Sequence, residues 1–364
     1  MSLAGGSGPA EPPDAVPNKW RRSGSVSRAV TVVVPTFNRR DLVVQAVRSV
    51  LRQLHSELTC LVVDNGSTDG TADALGALRD NRVRVIHHDR PVGAAEARNI
   101  GLRYARTPWV AFLDNDDFWA PTKLHAQLEA LARYPSSAWC ATGCANIDER
   151  FKLLPGGRLV REGTATGPQV LLGPDEMAKL LAEDNPLPGG GSSVLVSRDL
   201  LVAAGGFHND VPGCEDWDTW VRLSLLSPLV YVDAPFVAYR VWPGQASRDV
   251  EMMLSSAKRV REKYFPGAGP PRRQYTARLW QGAAKRKVAL GETVGAARCF
   301  ATAARVGRAP GQLAYAVAVP IVPGLVSRRL EALEAKVAIG EDWRQMAESW
   351  LSPLRSEYGH SGDV

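Results

Sequence analysis

Short β-branched runs alternate with amphipathic segments through residues 29–118, and this alternation limits the possible folds more than any other feature of the sequence. The apolar runs predict strands and the segments between them predict helices. The predicted strands are 29–34, 58–63, 83–87 and 109–113, and the predicted helices are 41–54, 71–79 and 94–104. Four strands joined by three helices are typical of a doubly wound, mainly parallel α/β sheet flanked by helices.

The rest of the chain divides by composition. Residues 1–28 are rich in Gly, Pro and Ser and predict a flexible tail. The alternation weakens after Phe118, where a helix near 121–134 and mixed strands are expected up to about residue 241. Residues 251–364 predict a helical C-terminal region, in which 275–290 and 293–305 could pair as a hairpin. The domain boundaries are therefore expected at 28 and 250, with a division of the α/β part at 118.

Composition, cysteine content and the apolar runs indicate which class of protein this is. A content of 45% hydrophobic and 23% charged residues is typical of a globular protein. Five scattered cysteines and no N-terminal signal pattern predict a cytoplasmic location. The longest apolar run, 313–326, contains two prolines and is shorter than the roughly 20 residues that a spanning helix needs.

The net charge of +6 arises in the C-terminal third, which has 18 Lys and Arg against 10 Asp and Glu from Glu251 onward. Two interpretations of this charge stay open. One is a solvated helical surface, and the other is a patch that attracts anionic lipid at the inner membrane surface or another polyanion. No motif indicates a nucleic-acid partner, and none indicates the oligomeric state.

Polar clusters follow three predicted strands, at 35–39, 64–70 and 114–117. Ligands of doubly wound sheets bind beyond the carboxyl ends of the strands, so these clusters predict a site. The acidic run at 114–117 favours Mg²⁺ or Mn²⁺ in that site, although capping of the next helix is an equal alternative for the run alone. No G-x-G-x-x-G or Walker-type phosphate loop follows the first strand, which disfavours a dehydrogenase or a P-loop enzyme.

Five motifs in order and spacing resemble glycosyltransferase family 2, whose members have the GT-A fold, use nucleotide-sugar donors and invert the anomeric centre. The motifs lie at 33–39, 62–71, 93–101, 112–117 and 215–222. The resemblance covers residues 29–247 and implies a nucleotide-binding half at 29–118 and an acceptor half at 119–250. It implies a metal-dependent, hexosyltransferase-like enzyme with Mn²⁺ or Mg²⁺ as cofactor and a UDP-sugar as the leading donor. The acceptor stays open between a glycan, a lipid-linked molecule, a peptide and a small molecule.

The resemblance also implies roles for individual residues. Asp216 would be the general base, with Glu215 beside it, and Asp114 and Asp116 would be the D-x-D pair at the metal and diphosphate. The implied nucleotide-binding residues are Pro35, Thr36, Asn38, Arg39, Asp64, Asn65, Ser67, Arg98, Asp114 and Asn115. The implied acceptor and sugar contacts are Gly190, Gly191, Ser192, Trp217 and Trp242.

Trp242 departs from the family pattern, which often has a metal-binding His two residues beyond the Tyr-Arg pair. A Trp side chain does not ligate metals, so water or donor phosphates would fill that position, or the metal would be held more weakly. Trp242 could instead stack on a sugar. A non-catalytic protein that binds sugar nucleotides or glycans on the same fold is the alternative function. Trp217 has two interpretations as well, core packing and acceptor contact.

Overall fold

The computed structural model describes residues 27–154, 157, 159, 169–242, 249–266, 273–289, 291–308, 310–336 and 341–359. The predicted flexible tail therefore lies almost wholly outside the described residues. The first half of the α/β part contains β1 (Val30–Thr36), α1 (Arg40–Leu51), β2 (Leu58–Asp64), α2 (Thr71–Gly76), β3 (Val83–His87), α3 (Ala94–Tyr104) and β4 (Trp109–Phe112). The predicted alternation of strands and helices is confirmed through this half.

The chain continues with β5 (Phe118–Trp119), α4 (Lys123–Arg133), β6 (Trp139–Ile147), β7 (Leu153–Leu154), β8 (Gln169–Leu172), α5 (Pro174–Leu181), β9 (Val194–Ser197), α6 (Arg198–Ala203), α7 (Glu215–Ser224) and β10 (Leu229–Arg240). A short 3-10 helix, Gly190–Ser193, leads into β9. The C-terminal helices are α8 (Val250–Tyr264), α9 (Arg273–Ala289), α10 (Thr293–Gly307), α11 (Gly311–Ile321), α12 (Pro323–Lys336) and α13 (Glu341–Tyr358).

One sheet crosses the α/β part in the order β3-β2-β1-β4-β9-β6-β10-β5. The pairs among β3, β2, β1 and β4 are parallel, as predicted. β9 is antiparallel to both of its neighbours, and β6 and β10 are parallel to each other. The carboxyl ends of β1, β2, β4 and β10 and the start of β9 therefore meet at one edge of the sheet.

Alternate residues of β1 supply two hydrophobic cores, one on each face of the sheet. Val32 and Val34 belong to the core that includes residues of α1 and α4, whereas Val33 belongs to the core that includes residues of α3, α6 and α7. Gly101 explains how closely α3 approaches β1, because a Cβ at this position would lie 2.2 Å from Cγ1 of Val33. A larger residue would push the helix off the strand.

The C-terminal helices form an additional cluster. α9 and α10 pack together as the predicted hairpin, with Ala284 and Phe300 in the shared core. Val319 of α11 and Val326 of α12 are buried in the same cluster. Within the described part of the chain, no helix is both long and apolar enough to cross a membrane.

Candidate functional site

A cavity of about 480 Å³ opens at the sheet edge where the strand ends meet. Its wall contains most of the residues that the sequence singled out. These are Pro35, Thr36, Arg39, Asn65, Arg98, Asp114, Asn115, Asp116, Gly190, Gly191, Glu215, Asp216 and Trp242. The two predicted carboxylate groups, at 114–116 and at 215–216, thus share one cavity although they are a hundred residues apart in the sequence.

Asn38, Asp64 and Ser67 do not line the cavity. Asp64 is fully buried, where Oδ1 accepts a hydrogen bond from the Ser67 amide at 3.0 Å and Oδ2 lies 3.0 Å from Nδ1 of His87. The Asn38 amide donates to Oγ of Ser67 at 2.9 Å, and Oδ1 of Asn38 accepts from the Thr68 amide at 2.8 Å. The hydrogen bonds between Asn38 and residues 67–68 join the loop after β1 to the loop after β2.

Arg98 joins the two carboxylate groups in the cavity wall. Its Nη2 donates to Oδ1 of Asp114 at 2.7 Å and its Nη1 donates to Oε1 of Glu215 at 2.9 Å. Burial alone lowers the pKa of Arg98, but the charges of Asp114 and Glu215 outweigh burial and raise that pKa above its usual value. The guanidinium therefore stays charged and fixes the loop after β4 relative to the first turn of α7.

Asp117 and Ser192 form a buried support beneath the cavity. Oγ of Ser192 donates to Oδ2 of Asp117 at 2.6 Å and accepts from the Asp114 amide at 3.0 Å. Oδ1 of Asp117 accepts from the Arg240 amide at 3.1 Å. Burial, and then the charges of Asp116 and Asp114, raise the pKa of Asp117 well above its usual value. Ser192 is fully buried and lines neither this cavity nor the second cavity described below, so its predicted acceptor contact is replaced by this supporting role.

The alternative of helix capping by the acidic run does not hold. Residues 118–119 form β5, and α4 begins only at Lys123, with Thr122 at its N-cap position. The run is therefore separated from the helix by a strand. The carboxylates at 114 and 116 face the cavity instead.

Asp116 contacts Trp242, the residue that departs from the family pattern. Nε1 of Trp242 donates to Oδ2 of Asp116 at 2.7 Å, and Cζ of Arg39 lies 4.1 Å from the centre of the Trp242 ring. Burial, followed by the charge of Asp114, raises the pKa of Asp116. The Arg39 guanidinium thus covers one face of the Trp242 ring. This face already has a partner within the protein, whereas a sugar was the partner considered from the sequence.

The carboxylates of Asp114 and Asp116 fit a hard divalent cation. Magnesium usually takes one or two protein carboxylates and completes its shell with water and substrate phosphates. Among the residues that the structure describes, no group of three His, Cys, Asp or Glu side chains could hold a metal ion. A cation in this cavity would therefore depend on oxygen ligands from a bound substrate, which suits Mg²⁺ or Mn²⁺ and not a structural zinc.

Asp216 lies in the first turn of α7, and its carboxylate is held from two sides. Oδ1 accepts from the Trp217 amide at 2.7 Å and Oδ2 accepts from Nδ2 of Asn185 at 2.9 Å. Burial, and then the charge of Glu215, raise the pKa of Asp216 to about 7. The N-cap position of α7 is Cys214, so neither Glu215 nor Asp216 is the cap residue. A carboxyl group that titrates near neutrality is suited to general acid and base chemistry.

A second cavity, of about 320 Å³, adjoins the first. Gly190, Gly213, Asp216 and Tyr239 line both. Residues that line only the second include Asn185, Trp217, Met253 and Tyr275. Trp217 is buried in the core, where its Nε1 donates to the Leu181 carbonyl at 3.0 Å, and its side chain also forms part of this wall. Core packing is therefore confirmed, and the acceptor contact stays a prediction.

Several residues of the two cavities were not predicted. Asn185 carries no motif in the sequence, and Met253 and Tyr275 come from the C-terminal helices. Tyr239 lines both cavities and stands beside Arg240, three residues before Trp242. Its place in the Tyr-Arg pair of the family pattern is the one signal in the sequence that indicates it.

Comparison with known families agrees with the motifs. The family described as Glycosyl transferase family 2 matches residues 31–173. TuaG of Bacillus subtilis (strain 168), named as a teichuronic acid biosynthesis glycosyltransferase, is 42% identical over 116 residues, which are 31% of this chain and 46% of TuaG. WfaP of Escherichia coli is 34% identical over 99 residues, which are 27% of this chain and 39% of WfaP. WfaP is named as a UDP-Glc:alpha-D-GlcNAc-diphosphoundecaprenol beta-1,3-glucosyltransferase. The family resemblance is confirmed over the matched residues, and the chain spans less than half the length of either relative.

A solved structure resembles this one over most of both chains. TarS 1–349 of S. aureus, in complex with UDP-GlcNAc, is 15% identical, with 84% of this chain and 92% of that chain covered and a TM-score of 0.52. At this identity the likeness concerns the fold alone. The predicted α/β fold of the glycosyltransferase type, with C-terminal helices, is thereby confirmed.

Proposed function

We propose that this chain transfers a sugar from a nucleotide-diphosphate donor in the first cavity to an acceptor hydroxyl in the second cavity. The observation that carries the proposal is the position of Asp216, which lines both cavities. Burial, and then the charge of Glu215, raise the pKa of this carboxyl to about 7, which suits a base. A base between two substrates can take a proton from one while the other is attacked.

The donor cavity offers polar groups suited to a nucleotide. Thr36, Asn65 and Asn115 contribute hydroxyl and amide groups to its wall, and Nδ2 of Asn115 already donates to Oγ1 of Thr36 at 3.2 Å. We assign residues 29–118 to donor binding and residues 119–250 to acceptor binding. UDP is the proposed nucleotide, because UDP-glucose appears in the name of WfaP and UDP-GlcNAc is bound to TarS.

Asp114 and Asp116 are the proposed holders of Mn²⁺ or Mg²⁺. When bound, such a cation acts as a Lewis acid that stabilises negative charge on the departing diphosphate. The chain's contribution is to hold both residues in place. Arg98 binds the carboxylate of Asp114 and Ser192 binds its backbone amide, whereas Trp242 binds the carboxylate of Asp116.

The transfer step follows from the position of Asp216. The acceptor oxygen forms a bond to the anomeric carbon while the bond between that carbon and the diphosphate oxygen breaks. The hydroxyl proton passes to Asp216, and the electron pair of the broken bond leaves with the nucleotide diphosphate. A single displacement from the opposite face inverts the anomeric centre. Asn185 and the Trp217 amide orient the carboxylate for this step.

The test is D216N, which keeps the shape of the side chain and removes the base. We expect the rate of transfer to fall by about 10² to 10⁴, while the affinity for UDP-sugar, measured by isothermal titration calorimetry, stays within about twofold. D199N, at an exposed position in α6, is the matched control and should leave both quantities unchanged. Donor binding by the unaltered chain without turnover of any acceptor would instead favour the alternative of a non-catalytic binding protein.

A further inference from the structure

An apolar stripe on α11 faces solvent. Leu313, Val317 and Ile321 are 51%, 65% and 72% exposed, and they follow one another at intervals of four residues. Residues at this spacing lie along one side of a helix. Val322, which follows α11 directly, and Leu325, in the first turn of α12, extend the exposed apolar surface. We refer to these five residues as the α11 stripe.

The opposite side of α11 is firmly packed. Val319 is fully buried, and the Tyr315 ring stacks on Phe300 with a distance of 5.3 Å between the ring centres. Val326 and Leu330 of α12 are buried in the same cluster. The buried side of α11 is anchored in this cluster, so the α11 stripe on the opposite side faces solvent. Exposed apolar surfaces of this kind mark places where a protein binds a membrane, another protein or a ligand.

The charged residues that flank the α11 stripe in the sequence are all basic. Residues 309–327 contain no charged residue, whereas Arg305, Arg308, Arg328 and Arg329 flank them and are exposed. Over residues 293–330 there are five Arg and no Asp or Glu. An apolar surface with a basic border complements a bilayer that contains anionic lipid, since acyl chains accept the apolar side chains and phosphates attract the arginines.

We propose that the α11 stripe docks on an anionic membrane surface, with α11 lying in the plane of the membrane. The helix has 11 residues, so it is about 16 Å long, roughly half of the hydrocarbon thickness of a bilayer. A second copy of the chain is a poorer occupant. Two such surfaces facing each other would bring Arg groups together without acidic partners, which costs free energy.

The α11 stripe is connected to the second cavity through α9. Tyr275, near the start of α9, lines that cavity, and Ala283 and Ala284 of the same helix pack in the cluster that holds α11. Membrane docking would therefore place the second cavity at a fixed distance from the lipid. The docking surface itself is independent of the transfer reaction proposed above and can be tested without any substrate.

The experiment measures flotation of the full chain with vesicles of phosphatidylcholine and phosphatidylglycerol in equal parts. We expect binding to these vesicles, weaker binding in high salt, and little binding to pure phosphatidylcholine. V317D/I321D should lower the partition coefficient by about a hundredfold, because each buried aliphatic side chain contributes about tenfold. L54D/L225D, at two exposed apolar positions outside the α11 stripe, is the matched control and should bind like the unaltered chain.

Circular dichroism and the melting temperature establish that V317D/I321D and L54D/L225D are folded. R328Q/R329Q should weaken binding to anionic vesicles by about tenfold or more and reduce its salt dependence, because two of the four flanking arginines are removed. The proposal is overturned if the unaltered chain does not bind anionic vesicles, or if V317D/I321D binds as well as L54D/L225D. It is also overturned if the unaltered chain is a dimer that V317D/I321D converts to a monomer without any difference in vesicle binding.

Discussion

Nε1 of Trp242 donates a hydrogen bond of 2.7 Å to Oδ2 of Asp116, the residue that we expect to hold the metal. An indole N–H is a donor only, so it can orient a carboxylate but cannot ligate a cation. The Arg39 guanidinium lies over the same indole at 4.1 Å. This chain thus uses an aromatic residue to position Asp116 at the place where family relatives often have a His.

Replacing Trp242 by His tests this relationship. W242H introduces an imidazole nitrogen beside Asp116, and we expect Mn²⁺ in the presence of UDP to bind about tenfold more tightly, because an added nitrogen ligand suits Mn²⁺ and increases the number of protein ligands. The measurement is isothermal titration calorimetry of Mn²⁺ into the protein with UDP. W242F, which lacks both the donor and a ligand, is the control and should bind no more tightly than the unaltered chain. Equal Mn²⁺ affinities for W242H and W242F would place the metal away from Asp116.

The sequence predicted the parts of the site that depend on strand ends. Asp114 and Asp116 follow a buried strand directly, and the rule that ligands bind beyond parallel strands placed them correctly at the cavity. Ser192 was expected at the acceptor, but its hydroxyl is buried under Asp117. The direction of its side chain depends on the 3-10 helix before β9, which short-range patterns do not specify.

Asn185 and Tyr275 are site residues that the sequence did not predict. Both lie at the second cavity near Asp216, yet one precedes β9 in a loop and the other belongs to a C-terminal helix. Asn185 follows α5, which packs against α7, and Tyr275 belongs to α9, which packs against α8. These are tertiary contacts that local patterns in the sequence do not indicate. The antiparallel insertion of β9 between β4 and β6 was missed for a similar reason, because a four-residue apolar run carries no information about strand direction.

Removing Arg98 should destabilise the fold. Its side chain is only 8% exposed and neutralises Asp114 and Glu215, so R98L leaves two carboxylates unpaired at a largely buried position. We expect the free energy of unfolding in urea to fall by about 3 kcal/mol. R103L, on the same helix, breaks a pair between an exposed Arg103 and Glu96 and should cost less than about 1 kcal/mol. Similar losses for the two variants would contradict the linking role of Arg98.

The hydroxyl of Ser192 should matter more than that of its neighbour Ser193. S192A removes the donor to buried Asp117 and the acceptor for the Asp114 amide, and we expect a loss of about 2 kcal/mol in the free energy of unfolding. S193A removes a single bond to the Gly190 carbonyl at 3.0 Å and should cost about 1 kcal/mol or less. Urea unfolding of both variants is the measurement. We also expect S192A to weaken UDP binding, because the Asp114 amide loses its acceptor, and equal UDP affinities for the two variants would count against that support.

The pH dependence of transfer should follow the ionisation of Asp216. A general base works only when it is deprotonated, and burial, and then the charge of Glu215, raise the pKa of this carboxyl to about 7. The value of kcat/KM should therefore rise with pH up to about 7 and level off above it, and it should fall about tenfold per pH unit well below that value. The charged groups that act on Asp216 include Glu215 and Asp114, which raise its pKa, and Arg98, which lowers it.

Two substitutions should move this pH profile in opposite directions. E215Q removes a negative charge beside Asp216, which makes its ionised form easier to reach, so the midpoint of kcat/KM should shift to lower pH. N185L removes the amide that donates to Oδ2 of Asp216, which disfavours the ionised form, so the midpoint should shift to higher pH. A variant that merely damaged the structure would lower the plateau at high pH and leave the midpoint in place. Midpoints that stay unchanged in both variants would show that another group limits transfer at low pH, and Asp216 would then lose its assignment as the base.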